Sequence, residues 1–367
     1  MAVERSTMPV LPPAPPSRSR VLVKGLFGSV TNTAITLAIL AVLAVILPEL
    51  FRWAVLDSLW APASPQSCIQ GDGACWAFIQ DKARLILFGR YPPAEHWRPI
   101  LAMALWMGAI AVSADWRQWG RRHWPRFLLV LWAAVLLVDA VLMAGGAFGL
   151  REVPLEMWSG LPLTIMIATF GLSSAFVLSI FLALGRRSRL PVVRWLSIGY
   201  IEIIRGVPLI SILFMAAVVL PIILPPDLVI DKIVRAQVAF FLFFAAYMAE
   251  TIRGGLQSIP KGQYEAADAL AMSYWQSMRR IIVPQALRVT VPSMVNIFIS
   301  AFKDTSLVVI ISMHDLLGTT NAATNDPVWL GVYVEAYVFT ALIYLVFCFM
   351  MSWYSQRLEV HIKTGRR

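Results

Sequence analysis

Few side chains in this 367-residue sequence could do chemistry inside apolar surroundings, and most of those fall in its second half. Glu202 and Arg205 stand three apart, Glu250 and Arg253 repeat that spacing, and Lys303 and Asp304 are adjacent, with Thr305 next. Opposite charges three residues apart share one face of a helix and can pair along it. Each pair fits either a structural ion pair at the rim of a helix or a contact with a substrate or gate. Neighbours at i and i+1 do not face each other on a helix, so Lys303 and Asp304 should bond different partners. Ionisable groups at membrane depth are expensive and point to function by default, although a Lys and an Asp can also pin two adjacent helices. Other chemistries lack their residues. No Gly-Lys dipeptide occurs, which removes the phosphate-cradling loop. His96, His123, His314 and His361 have no ligand-like spacing and no Cys joins them, so neither a metal nor a cofactor is expected.

The elements that must position these groups are set by composition. The chain is 59% hydrophobic and only 14% charged, with mean hydropathy +0.70, outside the range of soluble domains. A net charge of +10 could suggest nucleic acid, but the Lys and Arg residues cluster in short stretches beside long apolar runs, where they orient a chain in a bilayer. The fold class is therefore an all-α polytopic membrane protein of about eight transmembrane helices. A span needs about 20 apolar residues, and the candidates are residues 30–47, 99–114, 127–148, 161–184, 207–224, 236–252, 289–312 and 332–353. If the N-terminus is cytoplasmic, 22 of the 31 Lys/Arg lie on the inner side, which implies that the C-terminus is cytoplasmic too.

Residues 1–27 are Pro-rich and Arg-bearing and read as a disordered cytoplasmic tail. No small-residue cleavage site follows the first apolar run, so it reads as a retained helix. Residues 28–159 form an extension with three spans and a long outer loop, residues 160–359 a transport core, and residues 360–367 a cytoplasmic end. Cys68 and Cys75 fall in the outer loop, where an oxidising compartment permits a disulfide, but spacing alone leaves a bridge and two free thiols equally open. The core is interrupted at membrane depth by Pro162, Gly171, Pro208, Pro292 and Asn296, as expected where backbone lines a cavity.

Between the sixth and seventh spans, Pro260 can start a helix and Pro284 can end or kink the next. Ala267, Leu270, Ala271, Tyr274, Met278 and Ile281 recur between them at three- and four-residue steps, which predicts a helical hairpin with one apolar stripe. Part of that stripe should pack on the chain's own helix ends. An exposed remainder would suit a groove on a partner.

Tyr264-Glu265-Ala266-Ala267, followed by Ile281-Ile282-Val283-Pro284, resembles the loop by which permease subunits of ABC importers insert into their ATPase. Ala271 replaces the Gly usual there and Val283 replaces a Leu, so a more helical bend is expected at Ala271, since Ala tolerates positive φ poorly. The strings Ile201-Glu202-Ile203-Ile204-Arg205-Gly206, Ala249-Glu250-Thr251-Ile252-Arg253-Gly254 and Phe302-Lys303-Asp304-Thr305-Ser306 resemble the polar amino-acid permease branch. The three-span extension is similar to the second permease of general L-amino-acid systems. That resemblance implies a type I importer fold for the C-terminal five helices in a bacterial inner membrane. It also implies a separate ATPase subunit, a second homologous permease and a periplasmic amino-acid-binding protein as partners. By the same resemblance this chain has no enzymatic activity of its own, and Lys303, Asp304, Thr305, Glu202, Arg205 and Glu250 are substrate-pathway candidates. An ion-coupled secondary transporter and a non-transporting scaffold are the alternative readings.

Overall fold

The computed structural model describes residues 18–119, 121 and 123–364. No β-strand occurs among them, and the chain divides at Ala77/Phe78 into two compact units. The second and third apolar helices belong to the second unit.

The first unit holds α1 (Arg18–Phe27), α2 (Val30–Phe51) and α3 (Pro65–Gln70), with a π-helical turn at Arg52–Leu56. Part of the expected disordered tail is thus helical. Asn32 Nδ2 donates to the Gly25 carbonyl (3.0 Å) and Thr36 Oγ1 to that of Leu26 (2.9 Å), which satisfies carbonyls that the end of α1 leaves open. Residues 1–17 lie outside the described residues. No residue of α2 is buried within the unit, so its apolar surface is left for lipid or protein. Beyond it, Cys68 and Cys75 are joined by a disulfide with Cα atoms 5.5 Å apart. Trp76 packs against Trp53 and Trp60 and donates to the Ala54 carbonyl (2.8 Å).

The second unit begins within α4 (Trp76–Phe88) and continues through α5 (Trp97–Ser113), α6 (Trp124–Ala144), α7 (Gly160–Arg186), α8 (Pro191–Gly206), α9 (Leu209–Phe214), α10 (Leu220–Ile223), α11 (Lys232–Gln257), α12 (Lys261–Ala269), α13 (Tyr274–Ser277), α14 (Val283–Asp304), α15 (Leu316–Thr324) and α16 (Val334–Thr364). Six helical stretches among the described residues are long and apolar enough to cross a membrane, or seven if α8 and the α9–α10 segment form one broken span. These two are bent by 102° at Val207-Pro208, where Pro removes a donor and its predecessor is pushed to extended backbone. The connection expected at residues 185–205 is therefore mostly helix.

Helix direction decides how this pair is used. Gln237 reaches the Ile167 carbonyl (3.3 Å) and Arg187 that of Leu256 (3.2 Å), so α7 and α11 run parallel. The chain must return between them, and the bent pair makes that return. Small residues let α7 and α11 approach closely: Gly171, Ala175 and Ala183 on one, Ala236, Ala239, Ala245, Ala246 and Ala249 on the other, all buried. A Cβ on Gly171 would lie 2.5 Å from Phe240. α14 runs back along α11, with Gly255 against Ala286 and Thr290.

α5 has 17 residues, about 26 Å at roughly 1.5 Å per residue. Trp106 on α5 packs on Phe170 of α7, and the Ala114 carbonyl at its far end accepts from Tyr354 near the end of α16 (2.7 Å). At its near end the buried Arg98 donates to the Leu142 and Arg151 carbonyls, closing the exit of α6. Above it, Gly160 has φ +72°, and a Cβ there would meet the Leu87 carbonyl oxygen at 2.2 Å, so only Gly fits this entry to α7. Its N–H donates to the His314 carbonyl (2.7 Å), bringing the 312–316 turn beneath α4.

A clamp holds α4 to the segment after α15. Lys82 Nζ lies 2.6 Å from Asp326 Oδ2 and 3.1 Å from Asp81 Oδ2, and Trp329 donates to Asp81 (2.9 Å). The hydrogen bond from Lys82 holds the Asp326 carboxyl below its ordinary range, and the same bond raises Lys82. A depressed Asp contributes stability above its unfolded pKa of about 3.9 and loses it as pH falls through the lower folded value. The thermal midpoint of the purified chain should therefore fall as pH drops below about 4, and Asp326→Asn should flatten that part of the profile. Identical acid profiles for the two proteins would show that the clamp contributes nothing.

Candidate functional site

The hairpin between α11 and α14 is built from local rules. α12 opens after Pro260 and closes in a left-handed turn: Met272 N–H donates to the Ala267 carbonyl (3.1 Å) and Ala271 N–H to that of Asp268 (2.9 Å). That bonding pattern is a Schellman motif, whose left-handed position is usually Gly. Ala271 occupies it with φ +51°, so the bend is not the more helical one expected from Ala. Two hydrogen bonds outweigh the steric cost of a Cβ, about 1–2 kcal/mol. Ser273 and Gln276 form a reciprocal capping box that starts α13. A π-helical turn at Met278–Ile282 then leads into α14, so Tyr274–Ile311 forms one rod of 38 residues.

The stripe divides into an inner and an outer face. Ala267, Met278 and Ile282 are buried, Ile281 and Val283 are half-buried, and Leu270, Tyr274 and Trp275 are exposed together with Glu265, Ala266, Ala271 and Pro284. Ala267 is therefore not at the free surface. It faces the hairpin's own packing. Tyr264 is an anchor too: Arg187 stacks over its ring and donates to its hydroxyl (3.0 Å), while that hydroxyl donates to the Leu256 carbonyl (3.2 Å). Gln285 closes the base by donating to Gln263 (3.0 Å).

Above the hairpin, the acid–base candidates form one network rather than two separate pairs. Arg253 Nε donates to Glu250 Oε2 (2.9 Å), as its spacing permits. Glu202 instead pairs with Arg186, whose Nη1 lies 2.9 Å from Glu202 Oε1 and 3.3 Å from Glu250 Oε2. Arg205 turns away to lie over the Tyr247 ring at 5.6 Å. The spacing of Glu202 and Arg205 could not disclose this, because Arg186 reaches Glu202 and Glu250 from α7. Its only sequence signal is the basic run that ends that helix.

Lys303 and Asp304 end α14. Lys303 is exposed, and a cation in the last turn is favoured by the helix dipole. Asp304 is half-buried and lines a cavity of about 330 Å³ with Phe243, Phe244, Tyr247, Asn296 and Ser300. Neither side chain forms an ion pair or hydrogen bond among the described residues, so the separate partners expected for them are not found there. Thr305 is buried and donates to the Phe302 carbonyl (2.7 Å), a structural role in the 3₁₀ turn that follows. Sequence reasoning missed Asp315. Its buried carboxylate accepts from Gly318 N–H (2.8 Å) and Tyr344 (3.3 Å), and burial pushes it up to about 6. The Asp at the start of a Gly-containing short helix was the available signal.

A helical membrane body with one helix pair bent by 102° and an exposed inter-helix hairpin has the form of a membrane transport subunit. Residues 175–363 match the family of binding-protein-dependent transport system inner membrane components. The chain is 45% identical to the inner membrane amino-acid ABC transporter permease protein YhdY of Escherichia coli (strain K12), over 97% of each chain. It is 35% identical to the glutamate/glutamine/aspartate/asparagine transport system permease protein BztC of Rhodobacter capsulatus, over 94% of this chain and 93% of that one. This chain belongs to the amino-acid ABC transporter permease family. Among solved structures it is similar to an amino acid ABC transporter with histidines, at 29% identity and TM-score 0.48, covering 56% of this chain and 92% of that chain.

The left-handed Ala sets a measurable cost. Ala271→Gly should stabilise the purified chain by about 1 kcal/mol, seen as a raised thermal midpoint, and Ala271→Val should lower it. An unchanged midpoint in both would mean the turn carries no strain.

Proposed function

We propose that this chain is one membrane half of an ATP-driven importer of L-amino acids, served by a binding protein on the outer side, with ATP hydrolysed by a separate cytosolic subunit. The observation that carries the reading is the hairpin tip, where Glu265, Leu270, Tyr274 and Trp275 are exposed on a frame fixed by Tyr264, Arg187 and Gln285. Exposed aromatics beside a carboxylate on a rigid support are what a partner groove grips. A push on the tip would travel along α14, whose 22 residues extend about 33 Å at roughly 1.5 Å per residue, to the Asp304 cavity. The Arg186–Glu202–Glu250–Arg253 network would tie α7, α8 and α11 to that motion. In the cavity, unpaired Asp304 offers its charge to the ammonium group of a passing amino acid, and Lys303 on the adjacent face offers its own to a carboxylate. A second, homologous permease would complete the pathway, as the exposed apolar face of α8 suggests, with Val192, Trp195, Leu196 and Ile203 uncovered.

We further propose eight crossings with both termini cytoplasmic. α5 supports this count, since it runs beside α7 and reaches the level of Tyr354.

Because Ala267 is internal, the test of coupling uses surface positions. Leu270→Glu and Glu265→Lys should each lower uptake and substrate-stimulated ATP hydrolysis of the reconstituted assembly by at least about tenfold, the loss of roughly 1.4 kcal/mol at a contact hot spot. The thermal midpoint of the chain alone should not change. Full hydrolysis in both variants would remove the coupling role. For orientation, single cysteines at Gln66 and Asn325 should react with an impermeant maleimide in intact spheroplasts, and cysteines at Arg187 and Arg117 only after lysis. Labelling at Arg117 from outside would show that α5 does not cross.

A further inference from the structure

Asp139 lies on the buried side of α6 with 4% of its surface exposed, and neither carboxylate oxygen has a hydrogen-bond partner. It lines a cavity of about 200 Å³ among α5, α6 and α7, walled by Met103, Trp106, Trp158, Met166 and Phe170. Trp106 lines the same space, and its indole N–H is buried without an acceptor. One small, otherwise apolar chamber thus holds an unsatisfied acceptor and an unsatisfied donor.

Neither group belongs there unaccompanied. A buried, unpaired carboxylate is strongly disfavoured, and a neutral carboxyl still presents a donor and an acceptor that must be matched. No Lys, Arg or His side chain forms an ion pair with Asp139 among the described residues. Asp139 is five residues from the end of α6 at Ala144, about 8 Å at roughly 1.5 Å per residue, near the depth where headgroups meet acyl chains.

We infer that the chamber between α5, α6 and α7 binds a molecule bearing a primary ammonium and an acceptor oxygen, the ammonium on Asp139 and the oxygen on the Trp106 indole. Two sources carry that chemistry: the ethanolamine headgroup of a phospholipid and a free amino acid. The site is separate from the Asp304 cavity. It couples the two helices before the core to the first helix of the core, so its ligand would hold that seam together.

The experiment uses the full chain purified with its partner subunits and placed in nanodiscs of either phosphatidylethanolamine or phosphatidylglycerol, each with and without added L-glutamine. Native mass spectrometry reads the bound species, and the thermal midpoint reads their effect. A lipid source predicts selective retention of phosphatidylethanolamine, reduced at least about tenfold in Asp139→Asn and partly in Trp106→Phe. A soluble source predicts that glutamine raises the midpoint in phosphatidylglycerol discs, and that Asp139→Asn abolishes the rise while Lys303→Met does not. Asn keeps the shape of Asp, Phe keeps an aromatic ring while removing the indole N–H, and a folded variant is verified by retention of the partner subunits. If Asp139→Asn fails that check, Trp106→Phe alone decides, with unchanged binding counting against the proposal. Equal binding in wild type and both variants, or no bound amine in either disc, would overturn it.

Discussion

The structure depends on the close, parallel packing of α7 on α11. With no hydrophobic drive between helices in lipid, association rests on contact, and contact requires small side chains. Gly171 admits the Phe240 ring, and the buried Ala residues of both helices supply the remaining approach. Parallel packing obliges the chain to cross back between the two helices. It also aligns Arg186 with Glu250 and Arg187 with Leu256. The ion network and the hairpin's anchorage are consequences of this seam.

The hairpin shows how local and global terms divide the work. Its turn is fixed by backbone bonds that override the preference of Ala271, and its start by the capping box at Ser273. Its orientation is fixed by Tyr264, which cannot be seated until α7 brings Arg187 alongside. A loop so anchored can present apolar side chains without collapsing onto them. Leu270 remains 73% exposed.

The first half of the main body is more than an attachment. Arg98 satisfies carbonyls at the exit of α6, Trp106 packs on α7, and Thr319 on α15 donates to the Ile86 carbonyl (2.6 Å). Residues 78–159 and the core thus share one compact unit, although the family match begins at residue 175. Family boundaries follow what relatives share. Compact units follow where contacts are dense.

By itself the sequence determined the class and the elements. Apolar runs of span length, basic stretches between them and Pro260 and Pro284 around an amphipathic stripe specify helices, a bilayer and a hairpin, because length, charge placement and period act locally. It also disclosed the Glu250–Arg253 pair, whose partners lie on one helix. Only the tertiary structure decided which face of the hairpin is free, that Ala267 turns inward, that Glu202 belongs to Arg186 rather than Arg205, and that Asp139 and Asp304 border separate cavities. Each of these is set by a group from a helix distant in sequence, and no spacing along the chain records which helices meet.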